Sequence, residues 1–129
     1  NKDFVSGTRY SKGGERLGGS FIGSLLSRSA NKIFNFLSDI PLTDCTTGIK
    51  MMKKKVWNNI EFESNPVGWV FAFELSIKSY IQGYNITEHP IKSVDRLFGG
   101  SSTFKLGNWV KEYLKWFIWG LIKTNKLKK

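Results

Sequence analysis

Cysteine and histidine are nearly absent from this chain of 129 residues, which contains one of each, Cys45 and His89. A single cysteine excludes an intrachain disulfide framework and is typical of a reducing compartment. One cysteine and one histidine also form no zinc-binding pattern and no nucleophile–base pair. We therefore expect Cys45 to be inert and His89 to be structural, and we predict no metal ligands in this chain.

Acidic residues are scarce as well, with 10 Asp and Glu against 20 Lys and Arg, so the formal net charge is +10. Such a surplus favours an anionic partner: nucleic acid, a phosphorylated metabolite or acidic lipid headgroups. Five tryptophans in so short a chain suit a membrane surface at least as well as a nucleic acid. The 40% hydrophobic content indicates a folded chain of one domain at most.

Long hydrophobic runs are missing too. The longest, residues 116–122, is far shorter than the roughly 20 residues of a bilayer-spanning helix, so we predict no membrane span. The opening "NKD" has neither the basic nor the apolar region of a signal peptide. Because a strand pattern begins at once, without any lead-in, we expect a piece of a longer protein.

The spacing of apolar residues, glycines and prolines predicts alternating strands and helices. The predicted elements are a strand in 3–10, a glycine-rich loop in 11–20, helices in 21–37, 53–60 and 68–83, a strand in 84–94 and a helix in 108–123. Ser20 is a suitable N-cap, and Gly83 suits a left-handed helix end. Pro90 predicts a sheet edge or a bend within the second strand.

The last helix allows two interpretations. In one, it packs on the core and its lysines face solvent. In the other, which we favour, it lies in a membrane interface, because apolar residues surround most of its second half and lysines follow it.

Three arginines lie beside small or hydroxyl residues in separate segments, in "GTRY", "LSRSAN" and "DRLFGGSS". Guanidinium groups and bare backbone N–H groups both match phosphate oxygens, so Arg9, Arg28 and Arg96 could converge on one phosphate. Asp44 precedes hydroxyls and a glycine in "TDCTTG", and Glu74 interrupts an apolar helix. A buried carboxylate needs a partner or a task, so a structural ion pair remains the alternative for both acids.

The order of these segments is more informative than any one of them. The series "SGTRY", "LLSRSAN", "DCTTGIK", "FAFE" and "DRLFGGS" resembles, in register, the second half of a family 2 glycosyltransferase. It is most similar to the branch that makes dolichyl- or polyprenyl-phosphate sugars. The resemblance covers residues 3–107, and five weak motifs in the family's order make a strong signal.

The resemblance implies the fold and the activity. The fold would be α/β, the C-terminal part of an A-type, Rossmann-like domain with a mixed sheet flanked by helices. Residues 1–104 would form the acceptor-side half, and residues 105–129 an amphipathic, Trp- and Lys-rich interface helix. The activity would be transfer of a mannose- or glucose-type sugar from a nucleotide-sugar donor to polyprenyl or dolichyl phosphate, at the cytoplasmic face of a membrane and with no nucleic acid involved. Mg²⁺ or Mn²⁺ would be held mainly by a DxD motif that this sequence lacks, so we expect no activity from this chain alone.

Site residues follow by position in the motifs. Those implied are Arg9, Ser27 and Arg28 at the acceptor phosphate, Asp44 and Arg96 as catalytic groups, and Glu74, Gly99, Gly100 and Ser101 at the donor and its loop. Two positions depart from the pattern: Lys50 replaces a commoner arginine, and Gly23 stands where relatives often carry a basic residue. The competing hypothesis is a basic membrane-surface or RNA-binding module without chemistry, which would need none of the ordered motifs.

Overall fold

The computed structural model of the protein describes residues 1–95 and 106–125. The predicted Arg96, Gly99, Gly100 and Ser101 lie outside the described residues. The fold is mixed α/β, as predicted. Its elements are β1 (Phe4–Thr8), β2 (Glu15–Leu17), α1 (Phe21–Ser38), β3 (Lys50–Met52), α2 (Lys54–Asn59), α3 (Val70–Ile81), β4 (Ile86–Pro90), β5 (Lys92–Val94) and α4 (Leu106–Asn125).

The main sheet has three strands with β1 in the centre, in the order β3-β1-β4. Strand β3 is antiparallel to β1, and β4 is parallel to it, so the sheet is mixed. Phe4 at the start of β1 lies opposite both Met52 and Ile86. Residues 9 and 10 therefore lie directly after the C-terminal end of the central strand.

A second, two-stranded parallel sheet pairs β2 with β5. The strand predicted over 84–94 is thus two strands in two sheets, divided after Pro90, as its bend signal suggested. Ile91 joins the sheets, because its N–H donates to the Thr8 carbonyl (2.9 Å) and its carbonyl accepts from the Glu15 N–H (3.0 Å). Strand β2 corrects the prediction that 11–20 is entirely loop.

The helix ends follow local signals. The Ser20 side chain accepts from the Gly23 N–H and caps α1, as predicted. Helix α1 ends at Ser38 and is followed by its C-cap, Asp39, whose φ of 57° is left-handed. Gly83, beyond α3, has φ 76°, a conformation that glycine adopts without strain and that confirms the predicted end.

The core lies where α1, α3 and α4 pack together against β1 and β4. Phe34 of α1 contacts both Phe73 of α3 and Phe117 of α4 edge to face, at 5.0 and 5.3 Å between ring centroids. Gly120 allows α4 to approach, since a Cβ there would lie 2.9 Å from the Phe34 ring. Trp116 is also core, only 2% exposed, with its indole N–H donated to Glu112.

Two apolar helix faces remain exposed. On α4 a stripe at four-residue spacing is about half exposed, and it consists of Val110, Leu114, Ile118 and Ile122. On α1 the exposed apolar side chains include Phe21, Ile22, Leu25, Leu26, Ile33 and Phe36. Within the described ranges, no helix has the length and hydropathy to cross a bilayer.

Candidate functional site

Arg9 and Asp44 form a bidentate ion pair at the C-terminal end of β1. Arg9 Nε lies 2.7 Å from Asp44 Oδ2, and one Nη lies 3.0 Å from Oδ1. The Asp44 side chain is fully buried, and that of Arg9 is 13% exposed. Burial alone would lower the pKa of Arg9, but the hydrogen bonds and charge of Asp44 outweigh it and raise that pKa. Two residues predicted from separate motifs therefore meet directly.

The segment after Asp44 folds around its carboxylate. Oδ1 accepts from the backbone N–H groups of Thr46 (3.3 Å) and Thr47 (3.2 Å) and from the Thr46 hydroxyl (3.1 Å). Asp and Thr side chains favour such local turns because they hydrogen-bond to backbone groups two or three residues on. The D-x-T-T-G stretch therefore forms a turn that is held by hydrogen bonds to the Asp44 carboxylate.

Asn31 is a site residue to which the sequence analysis gave no role. It is buried on α1 and connects the helix to this turn: its Oδ1 accepts from the Cys45 N–H (2.8 Å), and its Nδ2 donates to the Thr46 hydroxyl (3.0 Å). A signal was present, since Asn31 ends the S-R-x-x-N motif one helical turn after Ser27. Its amide fixes the distance between that motif and the turn around Asp44.

Tyr10 brings Ser27 to the same place. The Tyr10 hydroxyl lies 2.8 Å from Ser27 Oγ, and the Arg9 guanidinium lies over the Tyr10 ring, 5.0 Å from its centroid. The first three motifs are therefore joined: Arg9 and Tyr10 follow β1, Ser27 and Asn31 belong to α1, and Asp44 precedes β3. The resemblance implies that Arg9 and Ser27 belong to one site, and it implies no role for Tyr10.

Arg28 lies at the edge of this cluster. It is exposed on α1 and, with four other residues, lines a hollow of about 250 Å³ that is partly open to solvent. The other residues that line it are Tyr10, Lys32, Asn35 and Thr43. The structure thus places Arg28 beside Tyr10 but on the solvent side of the buried pair.

Cys45 is buried behind the turn, and Lys50 is half-buried there. Lys50 Nζ donates to the Ser6 hydroxyl (3.0 Å) and to the Cys45 carbonyl (3.3 Å), and burial lowers its pKa to about 8. Burial also raises the pKa of the Cys45 thiol to about 12. A buried thiol with a raised pKa is a poor nucleophile at neutral pH.

Glu74 lies on α3 and contacts a different segment. Its carboxylate is fully buried, accepts from the backbone N–H groups of Glu63 (2.7 Å) and Ser64 (3.0 Å), and pairs with Lys78 at 2.8 Å. Burial opposes its ionisation, but these partners prevail and lower its pKa. The geometry is that of the structural ion pair considered as the alternative for this residue.

Asp95 is the first residue of the fifth motif and the last described residue before position 106. Its carboxylate pairs with Arg16 at 2.8 Å, and its charge is one of the contributions that raise the Arg9 pKa. The start of the fifth motif is therefore held against β2 by Arg16.

No cluster of three or more His, Cys, Asp or Glu side chains that could hold a metal ion is found in the part of the chain that the structure describes. Asp44 is the acid in the candidate site, and Arg9, Thr46 and Thr47 already contact its two oxygens. The described residues therefore do not suit a divalent cation.

Comparison with known proteins shows which enzymes this chain is similar to. No family model matches the chain. A polyprenol monophosphomannose synthase of Mycolicibacterium smegmatis is 26% identical over 83% of this chain and 44% of its own length. A dolichyl-phosphate hexose transferase of Haloferax volcanii is 33% identical over 73% of this chain and 39% of its own length.

The chain thus spans less than half the length of these two curated relatives. Both are named for sugar transfer involving a polyprenyl-type phosphate, and neither is named as a binding module without chemistry. The resemblance identified from the motifs is confirmed, and the chain is a relative of the polyprenyl-phosphate sugar transferase branch of family 2 glycosyltransferases.

Proposed function

We propose that this chain is the acceptor-side part of an enzyme that transfers a hexose from a nucleotide-sugar donor to polyprenyl phosphate at a membrane surface. The names of both relatives support the reaction class. The observation that supports the site most is that Arg9, Ser27 and Asp44, from three separate motifs, belong to one connected set of contacts.

The mixed sheet and its flanking helices are compatible with part of an A-type, Rossmann-like domain. In that assignment residues 1–104 belong to the catalytic domain, and residues 105–129 form a helix at the membrane interface. The exposed aliphatic stripe of α4 supports the second part, whereas Trp116 of the same helix packs in the core.

The proposed transfer does not need a strong general base. A phosphate oxygen is already anionic, so it must be positioned and its charge must be offset while the diphosphate leaves. Asp44 accepts from Arg9 Nε and from one Nη, which also donates to the Thr46 hydroxyl (3.2 Å), and within residues 1–95 and 106–125 the other Nη makes no hydrogen bond to the protein. We assign Asp44 to orient Arg9, and Arg9 to present that free Nη, beside Ser27, to the acceptor. Arg96 with Gly99, Gly100 and Ser101 would close over the donor diphosphate.

The proposed step includes neither the predicted metal nor Glu74. Since the described residues do not suit Mg²⁺ or Mn²⁺, we derive no step through a metal. Glu74 is assigned to hold residues 63 and 64 against α3, which makes it a positioning residue for that segment.

The test is a transfer assay on the complete gene product. Radiolabelled GDP-mannose or UDP-glucose is incubated with polyprenyl phosphate, and the lipid-linked product is extracted and counted. We expect product from the wild-type protein and at least a hundredfold loss of kcat/KM in Asp44→Asn and Arg96→Ala. Glu15→Gln, a surface acid 3.7 Å from Lys92, is the matched control and should stay within twofold.

Two results would contradict the proposal. One is the absence of any lipid-linked sugar with either donor. The other is wild-type turnover in both Asp44→Asn and Arg96→Ala, which would remove the site assignment. The 129-residue chain alone should yield no product.

A further inference from the structure

Two backbone carbonyls behind the Asp44 carboxylate are bound from inside the protein. The Cys45 carbonyl accepts from the Lys50 ammonium at 3.3 Å. The Asp44 carbonyl lies 3.3 Å from the Ser6 hydroxyl of β1, which in turn accepts from Lys50 at 3.0 Å. These bonds hold the backbone that carries the Asp44 carboxylate, so they set the position of that carboxylate at the candidate site.

Lys50 reaches these groups from β3 with the charged end of its side chain pointing inward. Its Nζ lies 5.5 Å from the centroid of the fully buried Phe4 ring. None of the ion pairs among the described residues includes Lys50. Burial is the largest influence on its pKa and lowers it to about 8, which means that the charged form destabilises the fold. Stability therefore does not explain this ammonium, whereas its contacts behind the candidate site do.

The ammonium form fixes the direction of the hydrogen bonds. A lysine ammonium has three donors and no acceptor, so the Ser6 oxygen can only accept from it. The Ser6 proton is then directed to the two carbonyls within reach, those of Gly7 (3.1 Å) and Asp44 (3.3 Å). A neutral amine has a lone pair and can accept that proton instead. Loss of the Lys50 proton therefore weakens the bond to the Asp44 carbonyl and removes the charge from the bond to the Cys45 carbonyl.

The other side chains that hold this backbone carry no charge. The Asn31 amide of α1 accepts from the Cys45 N–H at 2.8 Å. The Ser76 hydroxyl of α3 lies 3.2 Å from the Cys45 carbonyl but closer, at 2.9 Å, to the Ala72 carbonyl of its own helix. Neither an amide nor a serine hydroxyl titrates near neutral pH. Among the side chains that bond to this backbone from outside the turn, Lys50 is thus the one that responds to pH in that range.

The charged and titratable groups that face Lys50 belong to the turn and to the strands beside it. The Asp44 carboxylate and the Cys45 thiol raise its pKa, and Arg9, which follows β1, lowers it. On β4, which pairs with β1 on the side away from β3, the charge of Glu88 acts on the Cys45 thiol. That thiol has a pKa of about 12, so it stays uncharged over the range in which Lys50 titrates.

We propose that Lys50, in its ammonium form, is a positioning residue for the Asp44 carboxylate. It acts through the Ser6 hydroxyl and the Cys45 carbonyl, and it needs no contact with either substrate. The inference rests on the proposed function for the reaction in which Asp44 takes part. It adds to that function a residue and a pH dependence: transfer becomes less efficient as Lys50 loses its proton.

The pH profile of transfer by the complete gene product tests this role. We expect kcat/KM of the wild type to fall at least fivefold from pH 7 to pH 9.5, around an apparent pKa of about 8. Lys50→Arg carries a permanent charge and no acceptor, so it should stay within about threefold of the wild type at pH 7 and lose less than twofold over this range. Lys54→Met removes an exposed lysine of α2 and, as the matched control, should keep the wild-type profile.

A double-mutant cycle tests whether Lys50 acts through Ser6. At pH 7, Lys50→Met and Ser6→Ala should each lower kcat/KM about tenfold, and the double variant should lie within about twofold of the weaker single variant. A loss of about a hundredfold in the double variant would show independent effects and overturn the proposal. Unchanged kcat/KM in Lys50→Met would overturn it as well, and so would the same alkaline fall in Lys50→Arg as in the wild type.

Hydrogen exchange separates this inference from the proposed function, because it requires no activity. The amides of Thr46 and Thr47 donate to Asp44 Oδ1, so their protection reports the position of the carboxylate. In millisecond exchange on the complete gene product, their protection factors should fall at least fivefold from pH 7 to pH 9 in the wild type and stay within twofold in Lys50→Arg. That result without sugar transfer refutes the proposed function and leaves the positioning role. Equal protection in both proteins at pH 9 refutes the positioning role even where transfer occurs.

Discussion

The indole ring of Trp69 lies against Gly48 so closely that a Cβ built on Gly48 would come within 2.5 Å of the ring. Gly48 ends the turn that begins at Asp44, and Trp69 precedes α3. The backbone N–H of Trp69 donates to the Tyr113 hydroxyl of α4 at 3.0 Å, and this bond holds the Trp69 backbone in place. The glycine of the third motif therefore leaves room for the half-exposed Trp69 ring, and this contact ties the candidate site to α3 and α4.

Replacing this glycine tests the contact. Gly48→Ala should lower the free energy of unfolding by about 1–3 kcal/mol, because the added methyl group must displace the ring or the turn. Urea denaturation followed by tryptophan fluorescence measures the change. In the matched control, Gly107→Ala, the new methyl group meets nothing within 4 Å in a helix, so that variant should be neutral or slightly more stable. Equal stability of the two variants would contradict the role of the Trp69 contact.

The buried Arg9–Asp44 pair should affect the free energy of unfolding as well as the activity. Asp44→Asn leaves the guanidinium largely buried without a counter-charge, and breaking a buried pair from one side costs about 3–5 kcal/mol. The double variant Arg9→Met with Asp44→Asn should recover part of that loss, because no unpaired charge remains. A double-mutant cycle from urea denaturation measures the coupling.

The exposed pair of Glu15 with Lys92 is the reference for this cycle. Its atoms are 3.7 Å apart and both side chains are largely in solvent, so Glu15→Gln should change stability by about 0.5 kcal/mol or less. A coupling between Arg9 and Asp44 as small as this would mean that the buried pair adds nothing.

Lys50 makes the stability depend on alkaline pH. Its pKa falls from the usual 10.5 to about 8 on folding, so between these values the unfolded chain binds more protons than the folded one. Stability contributed by Lys50 must then rise with pH across this window and be constant outside it. We expect the unfolding free energy of the wild type relative to Lys50→Met to increase by ~3 kcal/mol at most from pH 8 to pH 10.5.

The comparison with Lys50→Met is needed because Cys45 acts in the opposite direction. Its thiol pKa rises from 9.0 to about 12, so its contribution to stability falls as pH rises between these values. The charge of Lys50 also lowers the thiol pKa, so both proteins are compared in a Cys45→Ala background, where the thiol makes no contribution. A difference that is flat from pH 8 to pH 10.5 would show that Lys50 keeps its ordinary pKa.

The exposed stripe of α4 predicts binding to lipid vesicles. Leu114 and Ile118 are about half exposed, and lysines lie close to them along the helix. We expect the protein to co-sediment with vesicles containing 30% phosphatidylglycerol more strongly than with neutral vesicles. Leu114→Ser with Ile118→Ser should reduce that binding at least fivefold. Met51→Ser, which removes an exposed apolar side chain on β3, should leave it unchanged, and equal losses would reject the stripe as the contact.

Local chemistry explains which elements were predicted. The Ser20 cap and the left-handed Gly83 depend on residues within one turn, so they could be recognised in the sequence. Strand β2 was missed because its three residues pair with β5, Glu15 opposite Lys92, across most of the chain. Glycines around it gave the stronger local signal, for a loop.

The residues of the candidate site also fall into those that the sequence predicted and those that it did not. Arg9, Ser27 and Asp44 were named because they stand in ordered motifs, and no property of the single residues required it. Asn31 and Tyr10 were left without a role, since what each does is a contact with a residue distant in the sequence. Glu74 pairs with Lys78 one turn along α3, a spacing that supports the ion-pair alternative already open for it.

The sequence by itself determined the helices with their caps, the basic surplus and the order of the motifs, because each depends on neighbours along the chain or on composition. The tertiary structure decided that Asp44 is bound by Arg9, that Trp116 packs inside while Ile118 faces out, and that Lys32 lines the same hollow as Tyr10. Burial and the pairing of charges are properties of surfaces brought together by folding. Burial and charge pairing therefore cannot be deduced from the spacing of residues along the chain.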